Sequence, residues 1–175
     1  MNKRLIARAG RIRLAIFDVD GVLTDGTLHL GKHGEQIKAF NILDGLGLKM
    51  LAASGVGLAL LSGRKSSAVA LRARETGIAH VLQGSTDKLQ AYHSLLRKLK
   101  LAEEESAFMG DDLPDLPVLR RCGLAFSVPH APQIVRSHAH YVTENSGGRG
   151  AVREACEFLM RAQGTLEAQL TRYLR

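Results

Sequence analysis

Short apolar runs alternate along this chain with segments whose apolar residues recur every three or four positions. Leu14-Ala15-Ile16-Phe17 is a continuous apolar run of strand length, and "VGLALLSG", "IAHVLQG", "SAFMGDD", "LAFSV" and "HYVT" have the same character. Helical spacing marks "NILDGLGLKMLAASG", "SSAVALRARETG", "TDKLQAYHSLLRKLK", "LPDLPVLRRCG" and "APQIVRSHA", with Gly55 and Gly77 as stop signals. A terminal helix opens near Ala151, after "ENSGGRG". The exception is "TLHLGKHGEQIKAF", which reads as two extended segments around a Gly31-Lys32-His33-Gly34 turn, a hairpin projecting from the sheet. Strand and helix in alternation predict an α/β, Rossmann-like three-layer fold with a central parallel sheet, right-handed crossovers and ligands at the carboxyl ends of the strands. No repeat, low-complexity segment or long linker interrupts the series, so residues 1–175 are expected to form a single domain. The first residues and the last few are the segments expected to be disordered.

Composition narrows the function. No apolar run approaches the ~18 residues of a membrane span, and "MNKRLIARAGRIR" lacks a signal-peptide core, so a cytoplasmic protein without membrane contact is expected. Cys122 and Cys156 lie far apart without metal-ligand or redox spacing and read as small buried apolar side chains. The formal charge of +7 is scattered through the helices and aromatics are only 5%, which offers nucleic acid neither a basic tract nor a stacking platform. A basic chain whose carboxylates gather in a few places suits a small anionic substrate, although a solvated basic surface accounts for the charge equally well.

Those carboxylates stand where strands should end. Asp18 and Asp20, one residue apart in "AIFDVDGVLTDG", project to the same side if the strand continues that far, and a divalent cation such as Mg²⁺ would relieve their repulsion. The same pattern also suits a turn whose aspartates hydrogen-bond their own backbone. Asp111, Asp112 and Asp115 follow the strand "SAFM" in "GDDLPD"; helix capping is open to Asp112 or Asp115, but two acidic strand ends in one sheet leave five carboxylates uncompensated without a metal. In "LLSGR", Ser62 ends a strand, Gly63 leaves room for backbone amides to approach an anion, and Arg64 has the fork to hold a second anionic group. Lys88 in "QGSTDK" opens a helix after another strand and suits a phosphate as a point charge. Taken singly, the last two are also ordinary solvated structure.

In this order, Asp-x-Asp-Gly-Val-Leu-Thr-Asp, Ser-Gly-Arg, Lys88 and Gly-Asp-Asp-x-x-Asp resemble the four motifs of the haloacid dehalogenase superfamily of phosphotransferases. Only a hairpin and a helix separate the first two motifs, which matches its capless members. Further, "GEQIKAFNILDGLGLK", "QGSTDKL" and "GGRGAVREACEFLMRAQG" are similar to the 3-deoxy-D-manno-octulosonate 8-phosphate phosphatases of the lipopolysaccharide pathway in Gram-negative bacteria, from about Arg11 to Gly164. The resemblance implies a cytoplasmic homotetramer with a Rossmann-like fold. It also implies Mg²⁺-dependent hydrolysis of an eight-carbon keto sugar acid phosphate through an aspartyl-phosphate.

The resemblance also implies roles. Asp18 is the nucleophile and a Mg²⁺ ligand, Asp20 the general acid/base that binds the metal through its backbone carbonyl, and Asp111 the last protein ligand. Asp112 and Asp115 orient metal waters and Lys88, while Ser62 and Lys88 hold the phosphate. Asn41, Ile42, Leu43, Asp44 and Gly45 match the substrate loop, and Arg64 and Arg72 match arginines that meet the sugar acid, some across a subunit boundary. Lys49 stands where relatives often carry arginine, keeping the charge without the planar fork. Asp25 receives no role beyond holding the turn into the hairpin. The apolar-edged hairpin of residues 27–40 is expected to pair with its copies in other subunits. "GGRGAVRE" could place Arg149 over an anionic ligand, or be a plain loop and surface helix. His29, His33, His80, His93, His130, His138 and His140 show no metal-ligand spacing with a carboxylate partner. Two rival readings remain: a phosphatase of a nine-carbon acid sugar phosphate, and a non-catalytic domain of the same fold.

Overall fold

The computed structural model describes residues 3–32 and 34–174, the side chains of Glu35 and Gln36 excepted. Its elements run α1 (Lys3–Ala9), β1 (Leu14–Phe17), β2 (His29–Gly31), β3 (Gly34–Ile37), α2 (Ile42–Ala53), β4 (Gly57–Ser62), α3 (Ser67–Thr76) and β5 (His80–Gln83). There follow α4 (Lys88–Leu99), β6 (Ser106–Met109), α5 (Leu116–Leu119), β7 (Leu124–Ser127), α6 (Gln133–Arg136), β8 (Tyr141–Val142), α7 (Ala151–Ala162) and α8 (Leu166–Thr171). The predicted alternation is therefore what the chain adopts, including the hairpin, whose turn residue His33 lies outside the described residues.

β1, β6 and β7 are buried at every position, as strands must be when helices cover both faces of a parallel sheet. The sheet order is β5-β4-β1-β6-β7-β8, all pairings parallel, and the hairpin β2-β3 forms a separate antiparallel pair. Phe17 registers with Leu60 on one side and Met109 on the other. The chain therefore leaves the three central strands at Asp18, Ser62 and Gly110 along one edge, the carboxyl edge where such sheets collect their ligands. Phe17, Phe108, Phe126 and Leu60 fill the centre, and Phe158 from α7 meets Phe126 edge to face with centroids 5.8 Å apart.

Three expectations need correction. The strand does not carry Asp18 and Asp20 to one face: β1 stops at Phe17, and the chain winds through a tight turn in which Val22, Leu23 and Thr24 all donate to the Val19 carbonyl. The disorder expected of the first residues does not extend to Lys3, where α1 begins, because Ala9 and Ile12 are buried and Gln163 donates to both their carbonyls, while residues 1 and 2 lie outside the described residues. The helix expected over "LPDLPVLRRCG" is a 3₁₀ turn at Leu113–Asp115 followed by the single turn of α5, since Pro114 and Pro117 each lack an N–H donor.

Candidate active site

The carboxyl edge opens into a cleft of about 370 Å³ lined by Asp18, Asp20, Ser62, Arg64, Lys88 and Asp111, with Gly26, Gly63, Ser85, Thr86, Asp112, Pro114 and Asp115 completing its wall. Each of the four ordered motifs thus contributes to one depression. At its floor Lys88, the first residue of α4, lies 3.0 Å from Asp18 Oδ2 and 2.6 Å from Asp115 Oδ1. Asp115 is fully buried, and its other oxygen accepts from the backbone N–H groups of Asp111 and Asp112 at 3.0 and 3.2 Å. With these three donors it fixes both the lysine and the turn that follows β6. Asp112 is exposed and accepts from the N–H of Leu113, so its carboxylate caps the 3₁₀ turn and makes no bond to Lys88.

The charge on this floor is unbalanced. Asp18, Asp111 and Asp115 each bring an oxygen within 4.8 Å of the others, with Lys88 among them. Burial, aided by the charge of Asp115 and opposed by Lys88, pushes the Asp18 carboxyl up to about 7. Burial and the charges of Asp18 and Asp115 push Asp111 up to about 8. Burial alone would lower the Lys88 ammonium, but the two aspartates around it more than offset that, and its net shift is upward. Asp111 Oδ1 is buried without a hydrogen-bond partner. Gly21, at φ +84°, lets the backbone pass where any Cβ would collide with the Asp111 carboxylate. An orphaned buried oxygen among crowded carboxylates, in a cleft open to solutes, is a donor set that suits a small hard divalent cation.

Ser62 is buried, and its hydroxyl accepts from the N–H of Arg64 at 3.2 Å, shaping the turn after β4 that faces the cleft. Asp20 bonds outside the carboxylate group: its Oδ1 accepts from Lys38 Nζ, at the base of the hairpin. Asp25 Oδ1 accepts from the N–H of Thr27 at 3.0 Å, the turn-holding contact expected of it.

Comparison with known proteins places this geometry. Residues 64–154 match the haloacid dehalogenase-like hydrolase family. The 3-deoxy-D-manno-octulosonate 8-phosphate phosphatase KdsC of Yersinia pestis is 47% identical over 163 residues, 93% of this chain and 87% of that protein. The chain belongs to this phosphatase family. The solved structure of a probable YrbI family phosphatase from Pseudomonas syringae superposes with a TM-score of 0.97 at 52% identity, covering 99% of each chain. That of the 3-deoxy-D-manno-octulosonate 8-phosphate phosphatase of Moraxella catarrhalis, in complex with magnesium, phosphate and KDO, superposes with a TM-score of 0.96 at 41% identity, again over 99% of each chain. The α/β haloacid dehalogenase fold read from the motifs is the fold of these relatives.

A second group of family-matched residues lies off the cleft wall. Asn41 caps α2, accepting from the N–H of Leu43 at 2.7 Å and donating to the Gly148 carbonyl at 3.3 Å. Ile42 and Leu43 are exposed at 81% and 54%, and Lys49 is exposed further along α2. Asp44 points inward: it is buried and accepts from the N–H groups of Arg153 at 2.8 Å and Gly150 at 3.4 Å, so it caps α7, and burial raises its carboxyl despite those donors. Arg72 lies over Gly45, donates to the Asn41 carbonyl at 2.8 Å and sits 5.8 Å from the Phe40 ring centroid. None of these residues lines the cleft within one chain. Arg149 lies near Asp25, 3.9 Å from Oδ2, with both side chains well exposed.

The sequence reading overlooked Ser85, Thr86 and Lys38. The two hydroxyls stood in the quoted "QGSTDK" and were passed over for the lysine. Lys38 carried no signal, because only the hairpin's path brings it back to Asp20.

Proposed function

We propose that this chain, as one capless domain over residues 1–175, hydrolyses 3-deoxy-D-manno-octulosonate 8-phosphate to the free sugar acid and inorganic phosphate, with Mg²⁺ as cofactor. The observation that carries the reading is the floor of the cleft, where Asp18 and Asp115 flank a single lysine and Asp111, crowded against them, is held with Asp18 far above the usual carboxylate range. Asp18, Asp111 and the Asp20 carbonyl would hold the cation, which when bound supplies positive charge to the phosphoryl oxygens and keeps both carboxylates ionised. The identities with the Yersinia and Moraxella enzymes support the substrate.

The residues divide the chemistry as follows. Asp18 attacks phosphorus in line while the bond to the sugar oxygen breaks, and Asp20 delivers a proton to that oxygen. Lys88, locked by Asp115, neutralises charge on the equatorial oxygens, and Ser62 with the Gly63 and Arg64 backbone binds the phosphate. Asp20, now ionised, takes a proton from water as it attacks the aspartyl-phosphate, which releases phosphate and regenerates Asp18. Arg64, on the cleft wall, meets the acid sugar. The contacts expected of residues 41–45, Lys49 and Arg72 reach substrate in an assembled homotetramer, built by the exposed hairpin and located in the cytoplasm. Among the described residues no helix is long and apolar enough to cross a membrane.

A panel of sugar phosphates assayed with and without Mg²⁺ tests the reading. The octulosonate ester should be turned over fastest, with activity lost in chelator. Equal turnover of unrelated esters removes the substrate assignment, and preference for a nine-carbon acid favours the rival.

A further inference from the structure

Lys38 directly follows β3, at the foot of the hairpin, and its side chain is only 2% exposed. A buried ammonium persists only beside a counter-charge. Its Nζ donates to Oδ1 of Asp20, whose own side chain is 22% exposed and borders the cleft. Lys38 does not border the cleft, so it reaches the carboxylate from outside the substrate space. Among the described residues Oδ2 of Asp20 makes no hydrogen bond. One oxygen is therefore tied down and the other is left for chemistry.

This division matters for a group that works in both halves of the reaction. A misplacement of about 1 Å costs on the order of 10²-fold in rate, and Asp20 sits in a turn with no other side-chain anchor among the described residues. We propose that Lys38 is a positioning residue for the phosphatase reaction, pinning Oδ1 of Asp20 so that Oδ2 carries the proton. The inference rests on Asp20 being the acid/base. In the first half the Oδ2 proton passes to the sugar oxygen as its bond to phosphorus breaks and the bond from Asp18 forms. In the second half Oδ2 takes a proton from water as the water oxygen bonds phosphorus and the Asp18–phosphorus bond breaks. Because Lys38 adjoins Ile37, which is 66% exposed on the hairpin, the same contact links hairpin placement to the proton carrier.

The test compares Lys38→Met, which keeps the aliphatic stem, with Lys38→Arg, which keeps the charge, each alone and with Asp20→Asn. Lys38→Met should lower kcat on the sugar phosphate by about 10- to 100-fold with KM changed less than about 3-fold, and Lys38→Arg should recover most of that loss. In the Asp20→Asn background Lys38→Met should cost less than about 2-fold more, because it acts through the missing carboxylate. Single-turnover phosphoryl transfer from p-nitrophenyl phosphate, whose leaving group needs no acid, should fall much less than transfer from the sugar phosphate. A Lys38→Met kcat within about 2-fold of wild type, or losses that multiply with Asp20→Asn, overturns the proposal. If Lys38→Met does not fold, Lys38→Gln replaces it, and equal kcat for the Gln and Arg variants overturns the proposal. An unimpaired Asp20→Asn would instead remove the acid/base reading on which it stands.

Discussion

The carboxylate cleft and the hairpin with the start of α2 meet at the Lys38–Asp20 ion pair, yet they are built in opposite ways. The cleft is assembled from the ends of four neighbouring strands, β5, β4, β1 and β6, and its charges are paired or crowded within a single chain. The neighbouring surface holds Leu30, Ile37, Ile42 and Leu43 at 65%, 66%, 81% and 54% exposure, side chains that water tolerates poorly when they cluster. The difference separates chemistry from recognition. Phosphoryl transfer needs fixed geometry, which strand ends provide, whereas these exposed apolar side chains leave area for a partner to cover.

Breaking the cleft should have the largest effect. Asp18→Asn removes the proposed nucleophile while keeping the side chain's size, and should lower phosphate release by about 10⁴-fold or more with assembly unchanged. Steady-state phosphate assay beside size-exclusion chromatography checks it, and a fall under about 10-fold would place the nucleophile elsewhere.

The hairpin comes next. Leu30→Asp with Ile37→Asp puts two charges on the exposed apolar side chains of the hairpin and should, if the hairpin builds the proposed tetramer, leave only smaller species. The octulosonate kcat/KM should drop by about 10-fold or more, since most of the residues proposed to recognise the sugar acid lie off the cleft of a single chain. Light scattering beside the phosphate assay measures both, and dissociation with full activity would show that one chain suffices for recognition.

The smallest effect is on stability. Asp18 and Asp111 sit at about 7 and about 8 against an ordinary 3.8, so between those limits the folded chain holds more protons than the unfolded one. Metal-free stability must therefore fall as pH rises through that window. Mg²⁺ requires the ionised carboxylates, so it should raise Tm more at about pH 8 than at about pH 5.5. Melting curves in chelator and in Mg²⁺ decide this, and a metal-free Tm that climbs over the same range would contradict the crowded-carboxylate account.

The strand and helix alternation was legible because each element's burial matches its own periodicity, as the all-buried "LAIF", "SAFM" and "LAFS" show. The cleft was legible for the same reason: Asp18, Ser62 and Asp111 follow apolar runs directly, and a parallel sheet brings run ends together. A tight backbone turn and features set by distant partners were not. The end of β1 at Phe17 depends on the Val19 carbonyl collecting three N–H groups, and Lys38 meets Asp20 only through the hairpin's path. The inward turn of Asp44 answers to the α7 backbone, more than a hundred residues away in sequence. The N-terminal helix "KRLIARA" was not read from the sequence, because it is held by Gln163 and by the core beneath Ala9.

The most direct measurement is trapping of the covalent intermediate. Enzyme mixed with octulosonate 8-phosphate and Mg²⁺, quenched in acid within one turnover and digested, should yield the peptide bearing Asp18 with the mass of one added phosphoryl group. The modification should be absent from Asp18→Asn. A phosphoryl group on any other residue, or turnover with none on Asp18 at any quench time, would contradict the account.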